Sequence, residues 1–406
     1  MYIKRAIENI IKSTLEQFPI ILLSGPRQVG KTTVLKEILN SNYGYITMDD
    51  LFLRNQIIED TELFFKNNPG SLILDEIQYV TEVFPYLKKL VDENNVNGKF
   101  ILTGSQSFKM MKGISESLAG RVGILELQGI SLREKFSINF NEAFIPTEEY
   151  LSERKKHIVN YVNLWEIIHR GYMPKLISDE NINWNIYYNS YVQTYIERDI
   201  RELTQVANIN LFYKFLVSIA SRSGELLNYQ SIAKDLGITI DTIKRWLSVL
   251  ESSNIIYLLY PYHNNHLKRA IKTPKIYFLD TGLLSYLTNW PNAKTLSNSM
   301  ISGNIFETFV ISEIIKSYIN TGNTRPPLYF YRDKDKKEID LIIEVEDKLY
   351  PIEIKETTKP SLSMIKSFDI LKNISDKKIE YKTIICRRDK LTYLSDDVIS
   401  IPIEYI

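Results

Sequence analysis

The sequence predicts an α/β protein in three parts: a P-loop nucleotide domain, a helical middle ending in a winged helix-turn-helix, and a small α/β domain at the C-terminal end. Three observations carry this. GPRQVGKTT, residues 25–33, lies between a strand-like run and a helix-like run. Residues 229–260 read as helix, tight turn at Gly237, helix and strand. Residues after 302 read as helix, three strands and helix, with Asp340, Glu353 and Lys355 near strand ends. A chain of 406 residues exceeds one typical core, and its 44% hydrophobic content can supply several.

Composition removes some function classes. With 50 Lys and Arg against 49 Asp and Glu, the net charge of +1 gives no bulk attraction to nucleic acid or membrane. Any DNA surface must therefore be a local patch. The single Cys386 excludes an intramolecular disulfide and every cysteine-based zinc cluster, and four His leave little room for a His-rich metal site. A reducing, cytoplasmic setting fits. The opening MYIKRAIENIIKSTLEQF is amphipathic, with Glu8 and Glu16 among its apolar residues, so no leader is expected there. The other apolar runs are strand-length, and no membrane span is expected.

In chain order, FPIILLSG is the strand that delivers the phosphate loop. Gly25 and Gly30 let the backbone curl, and Pro26, Arg27, Gln28 and Val29 complete the turn. Lys31 reaches the terminal phosphates, and Thr32, followed by Thr33, opens the helix and is placed to hold Mg²⁺. Successive amides and the helix N-terminus supply the rest of the anion site for ATP. SLILDEIQYV reads as a second buried strand ending in Asp75 and Glu76. Asp75 would hold the metal through water and Glu76 would activate the attacking water, although an acidic pair at a strand end is also an ordinary helix start. A third strand, KFILTGSQSF, ends in Thr103 and Ser105, which either sense the terminal phosphate or form a Ser/Thr turn or helix cap. Arg121, in SLAGRVGILEL, would touch phosphate in its own or a neighbouring subunit, or be a plain surface arginine. Strand and helix alternate from residue 20 to about 130, which predicts a parallel sheet with the site at its carboxyl edge.

From about 150 to 225 apolar residues recur three and four apart, as a helical lid requires. Glu197, Arg198 and Asp199 end one of these helices, either as solvated ion pairs or with Arg198 in a nucleotide or subunit contact. In the helix-turn-helix, Thr239 or Asp241 would cap the second helix, and Thr242, Lys244 and Arg245 stand where a DNA reader presents side chains. The same module also serves as plain scaffolding. Residues 262–272 form the candidate wing, with Lys268, Arg269 and Lys272 as phosphate-backbone contacts.

The last part opens with an amphipathic helix, GNIFETFVISEIIKSYI, carrying Glu307 near its start. A strand LYFYR, a strand EIDLIIEV, a tight turn at Glu346 and Asp347, a strand LYPIEIK and a helix near 361–374 follow. Alternation puts Glu353 and Lys355 on one face. Asp340 and Glu353 are hard-oxygen ligands for a second Mg²⁺ or Mn²⁺, Lys355 would orient the water attacking a phosphodiester, and Glu307 would add a ligand or steer that water. Strand-edge Glu and Lys also commonly face solvent or pair with each other, and both readings stand.

GPRQVGKTT, LILDEIQ, TGS, SLAGRVG, YIERDI, YFLDTGLL, GNIFETFV and the EID to IEIK stretch together resemble a family of prokaryotic AAA-type ATPases, of the AAA_14 and DUF4143 kind. These carry a winged helix and a C-terminal domain similar to the PD-(D/E)XK nucleases. The resemblance covers nearly the whole chain. It implies an ATPase domain over 1–145, a helical lid over 146–225, a winged helix-turn-helix over 226–290 and a nuclease-like domain over 291–406. In that nuclease fold the acidic residues match Asp340 and Glu353, the lysine matches Lys355 and the helix glutamate matches Glu307. Ser105 and Arg121 fall in sensor-like and post-sensor segments. The expected activity is Mg²⁺-dependent ATP hydrolysis driving a conformational switch on DNA, with branched DNA among the candidate forms, and homo-oligomers are common among AAA-type proteins. The alternative is an ATPase that binds a protein partner in signalling while its C-terminal domain is only architecture.

Overall fold

The computed structural model describes residues 2–39, 42–94, 96–104, 108–196, 209–263 and 273–406. The first unit is a five-stranded sheet of β1 (Ile20–Ser24), β2 (Gly44–Thr47), β3 (Leu72–Asp75), β4 (Phe100–Gly104) and β5 (Val122–Glu126), in the order β2-β3-β4-β1-β5. All pairs are parallel. Every residue of β1 is buried, because both faces of the sheet are covered. Period-two alternation sends Ile20, Leu22, Leu74 and Leu102 into one apolar layer and Ile21, Leu23, Ile73 and Ile101 into the other. The chain leaves β1 for the far edge strand β2 and later returns to β5 on the opposite side. The strand order therefore reverses at β1, which opens a crevice at its carboxyl end.

In the middle region, helix Tyr229–Leu236 ends at Gly237 in the left-handed conformation, and helix Ile240–Ser252 follows. Thr239 caps the second helix, its hydroxyl accepting from the Thr242 amide at 3.2 Å, so of the two expected caps Thr239 is the one used. An antiparallel ribbon of β6 (Ile256–Leu259) and β7 (Lys275–Phe278) comes next. Residues 264–272 of the expected wing, with Lys268, Arg269 and Lys272, lie outside the described residues, as do Glu197, Arg198 and Asp199.

The C-terminal sheet is mixed and larger than the expected three strands. β8 (Leu328–Arg332), β9 (Glu338–Val345) and β10 (Lys348–Ile354) form an antiparallel meander, with Glu346 turning the β9–β10 hairpin at φ +53°. β10 then pairs in parallel with β11 (Lys378–Ile379) and β12 (Lys382–Cys386). β14 (Val398–Pro402) and β13 (Thr392–Ser395) complete the sheet of seven. Pro351, which lacks an N–H, sits where the partner of β10 changes from β11 to β12. The expected helix near 361–374 is a 3₁₀ run, Leu362–Ile370, followed by one short α-turn.

Helix Ser302–Ile319 departs most from expectation. Its sequence reads as amphipathic, yet it is buried on all sides from Thr308 to Ile319. It packs against β7, β10 and helix Thr281–Leu287. Its remaining polar face is satisfied by the segment that leaves the nucleotide domain. Glu313 Oε2 accepts from the Leu132 amide at 2.8 Å, and Ser317 Oγ accepts from the Phe144 amide at 2.9 Å. One continuous apolar core runs around it from Leu132 through Tyr172, Phe215, Trp246, Phe278 and Phe309 to Ile401.

Candidate functional site

The nucleotide site is built at the carboxyl ends of β1, β3 and β4. Gly25 has φ +145°, and a Cβ there would stand 2.1 Å from the Leu127 carbonyl oxygen, so the loop needs glycine to pass β5's tail. Lys31 is buried and its ammonium folds over the loop, donating to the Gly25 and Pro26 carbonyls at 3.0 and 2.9 Å. Thr32 opens the helix one residue later, and its hydroxyl donates to Asp75 Oδ1 at 3.1 Å. Val29 points into the core, and its carbonyl accepts from Arg5 Nη1 at 2.8 Å. Thr33 is exposed, Arg27 lies 3.4 Å from the Tyr79 hydroxyl, and Gln28 Oε1 accepts from the Tyr187 hydroxyl at 2.8 Å. A narrow cleft lined by Pro26, Val29, Gln128, Met173, Tyr191 and Leu279 separates the loop from the middle helices.

Asp75 ends β3 and is 7% exposed. Its Oδ1 accepts from the hydroxyls of Thr32 and Thr103, and its Oδ2 from the Tyr45 hydroxyl at 2.6 Å. Glu76 follows in the left-handed conformation at φ +56°, a strained position for a residue with a Cβ. Its amide faces the Thr103 hydroxyl at 3.4 Å, and its carboxylate accepts from the Gln78 side-chain amide. The absence of a side chain at Gly104 admits Gln78, whose Oε1 would lie 2.3 Å from a Cβ there. Thr32 and Asp75 present hard oxygens side by side, which fits Mg²⁺. Ser105 lies outside the described residues. Arg121 does not meet the expected phosphate contact within its own chain. It precedes β5, at the amino edge of the sheet, because a residue entering a parallel strand stands a strand length from the phosphate loop. There it clamps Asp92 with two bonds of 2.5 and 2.9 Å.

The C-terminal residues do converge. Lys355 Nζ lies 3.2 Å from Asp340 Oδ2 and 2.7 Å from Glu353 Oε1, and the Ile354 amide donates to Asp340 Oδ2 at 2.9 Å. Glu307, on its helix, lies near enough to exchange charge effects with Asp340 and Glu353. Burial first, then the charge of Asp340, pushes its carboxyl up to about 7. The same two causes push Glu353 up to about 8. Burial opposes the charge on Lys355, but Asp340 and Glu353 outweigh it and hold its ammonium above the ordinary lysine range. Two further residues, missed in the sequence, come from β7. Lys275 Nζ lies 3.0 Å from Glu307 Oε1 and 2.5 Å from Glu338 Oε1, and the Tyr277 hydroxyl donates to Glu307 Oε1 at 2.6 Å. The signal available was a lysine inside the apolar strand KIYF, where a buried charge needs a partner. Among the described residues no three Asp, Glu, His or Cys side chains form a metal-holding group. Glu353 Oε2 is nonetheless buried without a partner, so the Asp340 and Glu353 pair retains a free hard-oxygen donor that fits a divalent ion.

Comparison with known proteins agrees with the first site. Residues 17–136 match the AAA domain family AAA_14, whereas residues 302–406 match DUF4143 and residues 162–294 match DUF8612, both domains of unknown function. An uncharacterized protein of Mycobacterium tuberculosis is 28% identical over 98% of this chain and 82% of its own length. Another, from Methanocaldococcus jannaschii, is 26% identical over 76% of this chain and 71% of its own. Among solved structures, the Walker-type ATPase of Pyrococcus abyssi superposes with a TM-score of 0.43 at 17% identity, covering 70% of this chain and 96% of that one. The RuvB Holliday junction branch migration motor of Thermotoga maritima gives 0.26 at 16% identity, covering 62% and 88%. No helix among the described residues is long and apolar enough to cross a membrane. Phosphate-loop geometry and the match of residues 17–136 to the AAA domain family together support a P-loop ATPase domain in this part of the chain.

Proposed function

We propose that the chain is a Mg²⁺-dependent ATPase whose hydrolysis cycle changes how a winged helix-turn-helix and a PD-(D/E)XK-like C-terminal site meet DNA. The observation that carries the DNA half is the convergence of Asp340, Glu353 and Lys355 at adjoining strand ends, with Glu307 on the neighbouring helix within reach of their charge. Exposed Lys244 and Arg245 on the second helix of the helix-turn-helix are suited to phosphate contacts. At the first site, Mg²⁺ held by Thr32 and, through water, by Asp75 would supply positive charge to the phosphates. Lys31 exchanges its two loop carbonyls for phosphate oxygens. Glu76, released from Gln78, takes up the proton of the attacking water.

A second reading is favoured by the ion pairing. Lys355 already lies between Asp340 and Glu353, and Lys275 already neutralises Glu307, as in a purely structural cluster. On that reading the protein is an ATPase that binds a protein partner. ATP turnover measured with single-stranded, double-stranded and branched DNA, alongside Mn²⁺ titration of the whole chain, separates the two. The DNA reading expects stimulated turnover, a bound ion, and metal-dependent cleavage that Asp340→Ala and Lys355→Ala abolish while ATP hydrolysis survives. Unstimulated turnover with no bound Mn²⁺ would transfer the assignment to the partner-binding ATPase.

A further inference from the structure

We infer that Tyr45 is a positioning residue of the nucleotide site: its hydroxyl fixes the Asp75 carboxylate so that magnesium adds to nucleotide affinity. The inference rests on the ATPase reading above and extends it to a residue outside every nucleotide-binding motif in the chain. Tyr45 lies on the edge strand β2, paired with Ile73, while Thr47 is paired with Asp75. Its side chain therefore lies along β3 toward the strand end, where the hydroxyl meets Asp75 Oδ2 at 2.6 Å. A carboxylate can only accept, so the phenol donates.

The other carboxylate oxygen accepts from Thr32 and Thr103, so Asp75 is held by three hydroxyls, one each from the helix after the phosphate loop, β4 and β2. Two of these act on Oδ1 and leave rotation about the Cβ–Cγ bond open to adjustment. Among the described residues, Tyr45 alone pins Oδ2. Its ring is steadied from the same helix that carries Thr32, with the Lys36 ammonium 4.0 Å from the ring centroid. A carboxylate fixed in this plane presents an oriented acceptor to the water shell of an ion beside Thr32. A freely rotating one must be ordered when the ion arrives, and that cost falls on the metal-bound complex alone.

The test is nucleotide affinity of the full chain, wild type and Tyr45→Phe, measured by calorimetry with ATP in EDTA and in saturating Mg²⁺. The ring is kept, and the residue is 39% exposed, so the fold should tolerate the change. Affinity in EDTA is expected to be equal in the two proteins. The gain on adding Mg²⁺ should fall roughly fivefold or more in Tyr45→Phe, the loss of one hydrogen bond to a charged group. An unchanged gain overturns the inference. So does an equal loss in EDTA and Mg²⁺, which would mean a role in the fold, and so does a larger gain, which would mean that the hydroxyl competes with the ion's water. A wild type with no magnesium gain would remove the metal reading of Thr32 and Asp75 itself, an outcome separate from failure of the variant.

Discussion

Lys31 and Glu76 serve the same nucleotide at different stages. The lysine neutralises phosphate charge in ground and transition states alike, whereas the glutamate acts on the water. Lys31→Ala is therefore expected to weaken ATP binding strongly, and Glu76→Gln to bind ATP but lose hydrolysis. Affinity and turnover measured separately check this, and parental turnover in Glu76→Gln would remove it from the catalytic role. Glu126, at the end of β5, gives a pH prediction at the same scale. Burial pushes its carboxyl up to about 7, while a hydrogen bond from Gln128 pulls the other way. A carboxyl whose folded pKa lies above its unfolded value stabilises the fold fully below the ordinary carboxylate range and loses that contribution as pH rises through about 7. Glu126→Gln should thus flatten the fall in thermal stability between pH 5 and 8, with a gain on the order of 3 kcal/mol at the upper end. Parallel melting curves of the two proteins against pH would contradict it.

Two glycines separate local from tertiary demands at the scale of elements. Gly25 needs a positive φ and also lies against the Leu127 carbonyl oxygen, whereas Gly237, at φ +65°, has nothing within 4 Å of where a Cβ would stand. Gly25→Ala must displace either the phosphate loop or the tail of β5. It is expected to abolish nucleotide binding and to cost about 1–3 kcal/mol of stability. Gly237→Ala loses only the left-handed helix cap, about 1 kcal/mol, and should leave ATP binding at the parental level. Melting temperature and ATP titration on both variants distinguish a constrained loop from a free cap. Equal nucleotide affinities would show that the loop can yield.

For the whole molecule, the core around helix Ser302–Ile319 decides how the parts hold together. Phe309 on that helix stacks on Tyr172, and the Tyr318 hydroxyl donates to the Phe144 carbonyl at 3.0 Å, both partners lying outside 291–406. A chain of residues 291–406 alone would expose this helix and leave Glu313 and Lys316 without the backbone of Ile130 and Leu132. It is expected to lack a cooperative thermal transition by circular dichroism, while the full chain unfolds its 132–406 core as one unit. A cooperative melt of the isolated segment would show a separable domain.

The strand, loop and helix around Lys31, the strand ending in Asp75 and Glu76, the turn at Gly237 and the Glu346 hairpin could all be read from the sequence. Each is specified by residues adjacent in the chain: a glycine at a positive φ, a cap, an apolar run of strand length. The tertiary structure decided what depends on distant neighbours. Helix Ser302–Ile319 looks amphipathic because Glu313, Lys316 and Ser317 are polar, and it is buried because a segment some 180 residues earlier satisfies them. The strands from residue 378 onward escaped notice because they are only two to five residues long, and β12 and β14, buried inside the sheet, read as short apolar runs without alternation. Tyr45 and Lys275 occupy no motif, and Gln78 and Tyr277 stand inside LILDEIQ and YFLDTGLL with no role that the motif itself assigns; each matters through a carboxylate that the fold brings within hydrogen-bonding reach. Local conformational preference acts over a few residues and is written in the sequence, whereas the pairing of buried charge is settled only when the chain closes on itself.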